Sequence, residues 1–236
     1  MSEIYFIRHG QASFGADNYD KLSPTGVIQS RITAKHFARL EICFDAIYSG
    51  RMERQKGTAA ELIDYYRHNR IDVPEPILSG AFDEYDSTGV WESQIAGMLD
   101  EDPSLAQQLE TVRDDKKAFQ KIFSRVMYRW VSGDYDQAGT ESWKDYSQRV
   151  RQGYLHIMAE QGAKKKLAVF SSGGPICVGV QMALNLSDRK AIEINWQIMN
   201  ASVTRFIYNQ KGMALSVFND VTHLELEKIP GLLTYR

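Results

Sequence analysis

The chain has 236 residues, which suits one α/β domain with an insertion or at most two small domains. Hydrophobic residues make up 43% and charged residues 25%, ordinary globular usage with enough apolar side chains for a packed core. A formal net charge of −2 advertises no basic footprint for nucleic acid, and no run of about 18 apolar residues argues for a membrane span.

The opening MSEIYFIRHG lacks a basic stretch followed by a long apolar one, so no secretory leader is expected. Cys43 and Cys177 are the only cysteines and each lies among apolar neighbours. Two lone cysteines fit a reducing, cytoplasmic setting and the role of small buried hydrophobes.

Glu3–Ile7 is a short apolar run that reads as a buried strand ending at Arg8. Ser23 then caps a helix whose first residue is Pro24, and apolar positions recur at helical spacing to Leu40. Asp45–Ser49 reads as a second strand, followed by a polar helix from Met52 to Arg67. Pro74, Pro76 and Gly80 punctuate a short strand at Ile77-Leu78. Trp91 to Gly139 is mostly helical and irregular, and is taken as an insertion or cap. A long helix is predicted from Thr140, as its cap, to Glu160. Leu167–Ser171 is a strongly apolar strand, after which Gly173-Gly174-Pro175 opens a helix running to Leu184. Val203–Tyr208 and Met213–Phe218 read as two final strands joined by a tight hairpin. Strands alternating with helices predict a mainly parallel sheet covered on both faces, an α/β fold.

In such sheets ligands bind at the carboxyl ends of the strands. Three predicted strand ends carry polar, basic or glycine-rich groups: Arg8-His9-Gly10-Gln11, Ser49-Gly50-Arg51-Met52-Glu53-Arg54 and Ser172-Gly173-Gly174-Pro175. Guanidinium groups beside helix N-termini describe an anion site. A neutral imidazole attacks phosphorus well, and arginines clamp phosphoryl oxygens. Phosphoryl transfer needs mainly positioning and charge, which this inventory supplies without a metal or cofactor.

Ile7-Arg8-His9-Gly10-Gln11 resembles the signature of the histidine phosphatase superfamily, which includes the phosphoglycerate mutases. Leu22-Ser23-Pro24-Thr25-Gly26 with Gln29 resembles its first-helix motif. Asp45–Ser49, followed by Arg54 and Thr58-Ala59, resembles its second-strand motif, and Phe82-Asp83-Glu84 the segment carrying its acid. The resemblance spans most of the chain, from about residue 4 to about residue 223, and leaves the cap unmatched. The resemblance implies a three-layer α/β/α sandwich, here a single domain over residues 1–236 with a helical cap at 91–139. It implies that His9 becomes a phosphohistidine, Arg8 and Arg54 hold the phosphoryl group, Glu84 protonates the leaving group, and Gln11 lines the entrance.

Two positions depart from the family pattern. The strand ending at Ser171 is usually followed by a second His; here Ser172 stands there, before Gly173. A hydroxyl and helix N–H groups can still bind phosphate but supply no full charge. An Asn about six residues past the first His is replaced by Gly15, with Ser13, Asn18 and Asp20 nearby. The resulting expectation is a metal-independent phosphatase acting through His9 on a small phosphorylated substrate or phosphoprotein. Ser172 also leaves open an attenuated or non-catalytic phosphate-binding protein, and a phosphoglycerate mutase is the third reading. No bound metal, nucleic acid or membrane is expected; the sequence does not state an oligomeric state.

Simpler readings suit several neighbouring residues. Asp83 and Asp86 compete with Glu84 as the acid. Arg51 is assigned to a solvated helix face. His223 could reach the pocket in place of the missing His, but a structural hydrogen bond is the better expectation. No pair among the five histidines has metal-ligand spacing.

Overall fold

The computed structural model describes residues 1–13, 18–111 and 115–235. A six-stranded sheet forms its middle layer, in the order β3-β2-β4-β1-β5-β6. The strands are β1 (Ser2–Arg8), β2 (Ala46–Ser49), β3 (Pro76–Leu78), β4 (Lys166–Ser171), β5 (Val203–Asn209) and β6 (Gly212–Asp220). β1, β2, β3 and β4 are mutually parallel, and β5 runs antiparallel to both β1 and β6.

Successive side chains of β1 point to opposite faces, as the period of a strand requires. Ile4 and Phe6 enter a core with β4, the helix α6 (Trp143–Gln161) and the helix α7 (Gly173–Leu184). Tyr5 and Ile7 enter a second core with α1 (Pro24–Arg39) and α2 (Glu53–His68). Both faces are therefore covered, and the fold is a three-layer α/β/α arrangement.

Local chemistry starts the helices where polar residues can satisfy their first N–H groups. Ser23 accepts from the Gly26 N–H at 3.0 Å, with Pro24 in the first turn of α1. Asp86 caps α3 (Ser87–Glu101), and Asp115 caps α5 (Lys116–Ser132), which ends at Gly133 with φ +75°. Between them lies α4 (Leu105–Thr111). These three helices join the sheet to α6 and pack against the α6–α7 face.

Several sequence expectations need correction. The cap of α6 is Ser142, not Thr140: its hydroxyl accepts from the Asp145 N–H at 3.0 Å. Cys177 is buried as expected, but Cys43 is exposed, because it sits in the turn between α1 and β2 with its neighbours Ile42 and Phe44 facing inward. Two short helices, α8 (Asp188–Asn195) and α9 (Thr222–Glu225), were not anticipated. Each is too short to carry a clear period of its own.

One close approach locks the end of β1 onto α1. A Cβ on Gly10 would lie 2.3 Å from the Gly26 carbonyl oxygen, and one on Gly26 would lie 2.1 Å from the Gln11 carbonyl oxygen. Only hydrogen fits there. We expect Gly26→Ala to cost about 1–3 kcal/mol through overpacking, read as a lower urea midpoint. An unchanged midpoint would show that the two backbones are not pressed together.

Candidate phosphoryl-transfer site

Parallel pairing brings three strand ends to one edge. Arg8 pairs with Ser171 across β1 and β4, and Ser49 with Phe170 across β2 and β4. The chain leaving β1 stays with this edge, since the His9 N–H donates to the Ser171 carbonyl at 2.8 Å. Gly10 N–H donates to Thr58 Oγ1 at 3.0 Å, and that hydroxyl donates to the Arg54 carbonyl at 2.8 Å, so α2 is tied to the same loop.

His9 is 5% exposed. Its Nδ1 lies 2.7 Å from the Gly10 carbonyl oxygen. A carbonyl only accepts, so Nδ1 carries the proton and Nε2 keeps its lone pair. Arg54 Nε donates to that Nε2 at 3.1 Å. Burial pushes the imidazole pKa well below its ordinary 6.5, and the charges of Arg8 and Arg54 push it further in the same direction.

Arg54 is itself buried and forms a 2.6 Å ion pair through Nη1 with Asp20. Asp20 is held in turn by the Glu53 N–H, at 2.8 Å from its Oδ2. Asp20, one of the polar residues near Gly15, thus meets the arginine. Gly15, the position of the departure itself, lies outside the described residues, as do Phe14 and Ala16. Arg8 donates through Nη1 to the Ile198 carbonyl. Gln11 faces the start of α1, its Oε1 accepting from Ser23 Oγ at 2.8 Å.

Glu84 sits at the N-terminus of α7. Its Oε2 accepts from the Gly174 N–H at 3.1 Å, and its Oε1 from Tyr146 Oη at 3.0 Å and the Tyr85 N–H at 3.2 Å. Gly174 is the residue that permits this approach, because a Cβ there would fall 2.0 Å from Glu84 Oε1. Asp83 is taken up by Arg51, accepting from its N–H at 2.6 Å and its Nε at 2.7 Å. Asp86 is taken up in capping α3. Burial, reinforced by the Glu84 charge, pushes the Tyr146 hydroxyl pKa well above its ordinary value, so it remains a donor to Glu84.

Ser172 precedes α7, but its side chain makes no capping hydrogen bond to the helix backbone, and the residue is 0% exposed. Its Oγ accepts from Gln55 Nε2 at 2.8 Å, and the same amide donates to the Phe82 carbonyl at 3.0 Å. The Ser171 hydroxyl also donates to that carbonyl, at 2.7 Å. Gly173, the first residue of α7, follows directly. Gln55 was missed by sequence reasoning; its only sequence signal is adjacency to Arg54.

His223 is not part of this group. Its Nε2 lies 3.1 Å from both Thr33 Oγ1 and the Ala201 carbonyl oxygen, and its ring stacks on His36 at 5.2 Å. Among the described residues, no three His, Cys, Asp or Glu side chains are grouped to hold a metal ion. None of the described helices is long and apolar enough to cross a membrane.

A match to the histidine phosphatase superfamily (branch 1) covers residues 4–221, and the chain belongs to that family. Solved structures share its fold. A phosphoserine phosphatase mutant from Entamoeba histolytica, in complex with phosphoserine, superposes with a TM-score of 0.66 at 21% identity, covering 95% of this chain and 100% of the other. A phosphoglycerate mutase from Bacillus anthracis gives 0.64 at 16% identity, covering 97% of each chain. A mycobacterial glucosyl-3-phosphoglycerate phosphatase gives 0.59 at 17% identity, covering 92% of this chain and 98% of the other. No curated protein matches the chain in sequence.

The pKa of His9 has a consequence for stability. The native ring stays neutral where the unfolded ring, near 6.5, begins to take a proton. The unfolded state therefore gains protons first, and stability falls as pH drops below about 6.5. His223, pushed down to about 4 mainly by burial, acts in the same sense. We expect an imidazole NMR titration to show His9 neutral at pH 6.5, and the urea midpoint to fall from pH 7 to pH 5 less steeply in His9→Gln. A charged His9 ring at pH 6.5 would contradict the site described.

Proposed function

We propose that the protein is a metal-independent phosphomonoesterase working through a phosphohistidine at His9. The observation that carries this reading is the neutral imidazole, protonated at Nδ1, whose Nε2 lone pair points at Arg54 and accepts from its Nε at 3.1 Å. Attack on a phosphoryl group requires a neutral nucleophile beside a cation, and the lone pair is released when Arg54 turns its N–H groups to the phosphoryl oxygens.

In this reading the Nε2 lone pair forms the P–N bond as the bond from phosphorus to the leaving oxygen breaks. Arg8 and Arg54 balance the charge on the transferring group. Glu84, as the acid, gives its proton to the leaving alcohol. It then takes a proton from water as that water attacks phosphorus, the P–N bond breaks, and inorganic phosphate leaves with His9 neutral again. Gly173 and the N-terminus of α7 supply further N–H donors. Because Gln55 donates to Ser172 Oγ, the single hydroxyl proton of Ser172 stays available to the phosphoryl group. Gln11, next to the loop, borders the entrance. Residues 91–139 serve as the cap of a single domain and select the substrate, a small phosphorylated compound or a phosphoprotein. The stacked Trp91, Phe119 and Phe123 rings lie within that segment.

We expect hydrolysis of an aryl phosphate in the presence of a chelator, lost to background in His9→Ala. Ser172→Ala should lower kcat by less than the about 100- to 1,000-fold that loss of a principal charge-stabilising donor costs. Vanadate binding without turnover by the wild type would instead support a phosphate-binding role. Interconversion of phosphoglycerates dependent on a bisphosphate primer would support a mutase.

A further inference from the structure

Two buried amides stand behind the nucleophile loop, Gln29 in α1 and Asn200 in the turn before β5, both 0% exposed. Each grips a different main-chain group. Asn200 Nδ2 donates to the His9 carbonyl at 3.2 Å. Gln29 Oε1 accepts from the Gln11 N–H at 2.8 Å. These groups flank Gly10, whose carbonyl takes the Nδ1 proton of His9. The two peptide planes around Gly10 set where that carbonyl points, and the carbonyl sets the tautomer and the direction of Nε2.

The far ends of both amides meet one segment of chain. Gln29 Nε2 donates to the Leu232 carbonyl at 2.6 Å and to Thr234 Oγ1 at 2.9 Å. Thr234 Oγ1 donates to Asn200 Oδ1 at 2.9 Å, and the Asn200 N–H donates to the Thr234 carbonyl at 2.9 Å. The hydroxyl accepts from one amide and gives its only proton to the other, so it fixes the orientation of both. Leu232 anchors the segment, packed with Ala201 and Leu224 in a small separate core. Ala201 holds φ at +55°, a left-handed conformation unfavourable for alanine, and its N–H reaches the His9 carbonyl at 3.2 Å. Strain is kept at the point where the turn touches the nucleophile.

We propose that residues 231–235 form a positioning brace for His9, transmitted through Gln29 and Asn200. Its catalytic consequence rests on the phosphatase reading; its effect on the imidazole does not. None of these residues touches the phosphoryl site, so their contribution is to hold the nucleophile loop in register. Small displacements of a nucleophile are costly, about 100-fold in rate for about 1 Å.

The test compares the wild type with a deletion after Pro230 and with Thr234→Val, which removes both hydroxyl bonds while keeping the shape of the side chain. Steady-state kinetics on an aryl phosphate and imidazole nitrogen NMR of His9 are both read, well below the melting temperature. The deletion should lower kcat about 10- to 100-fold with KM little changed. The NMR signal should move from a single Nδ1–H tautomer to a mixture. Thr234→Val should shift both readouts in the same direction, and Thr234→Ser should restore them. If the deletion does not fold, Thr234→Val decides. A lower melting temperature with wild-type kcat and an unchanged tautomer would make the segment merely structural and overturn the proposal. If the wild type shows no turnover, the phosphatase reading fails, and the tautomer alone decides the brace.

Discussion

A buried imidazole beside two guanidinium groups has one tolerable state, the neutral one. Desolvation and two positive neighbours both oppose a third charge at the end of β1. Neutrality then imposes a proton inventory. One ring nitrogen needs an acceptor and finds the carbonyl of the next residue; the other is left with a lone pair and finds a donor in Arg54. The orientation of Gly10, the tie to Thr58 and the packing of Gly10 on Gly26 all serve to keep that carbonyl in place. The loop after β1 is thereby held from α1 and α2 at once.

The rest of the edge balances the cations without quenching them. Asp20 meets one face of Arg54 while another of its nitrogens stays on His9. Glu84 approaches the start of α7, where the Gly174 N–H donates to its Oε2, and Gly174 makes the room. Gln55 fills the space behind Ser172 and ties α2, Phe82 and the β4–α7 junction together. In the histidine phosphatases the resemblance suggested a second imidazole at this point. Ser172 at the start of α7 instead forms a neutral, fully buried pair with the Gln55 amide.

Much of this could be read from the chain alone. Apolar runs marked β1, β2 and β4; Ser23-Pro24 marked the start of α1; and the order of motifs identified the family over most of the length. These features depend on neighbours a few residues apart, where spacing and capping chemistry dominate. The start of α6 was misplaced because Thr140 and Ser142 are both competent caps, and only packing chose the second. Cys43 was misjudged because an apolar neighbourhood in sequence does not say which side of a turn faces water.

What the sequence by itself determined is the inventory: a strand-end His9 beside Arg8, a glycine-rich helix start after Ser172, and a fold that collects strand ends at one edge. What only the tertiary structure decided is the wiring. It gave Asp83 to Arg51 and Asp86 to a helix cap, left Glu84 facing α7, turned His223 toward Thr33 and Ala201, and set Gln55, Gln29 and Asn200 behind the site. The physical reason is separation along the chain. Hydrogen bonds between residues more than a hundred positions apart, such as Gln29 with Leu232 or Gln55 with Ser172, leave no local period or spacing from which they could be foreseen.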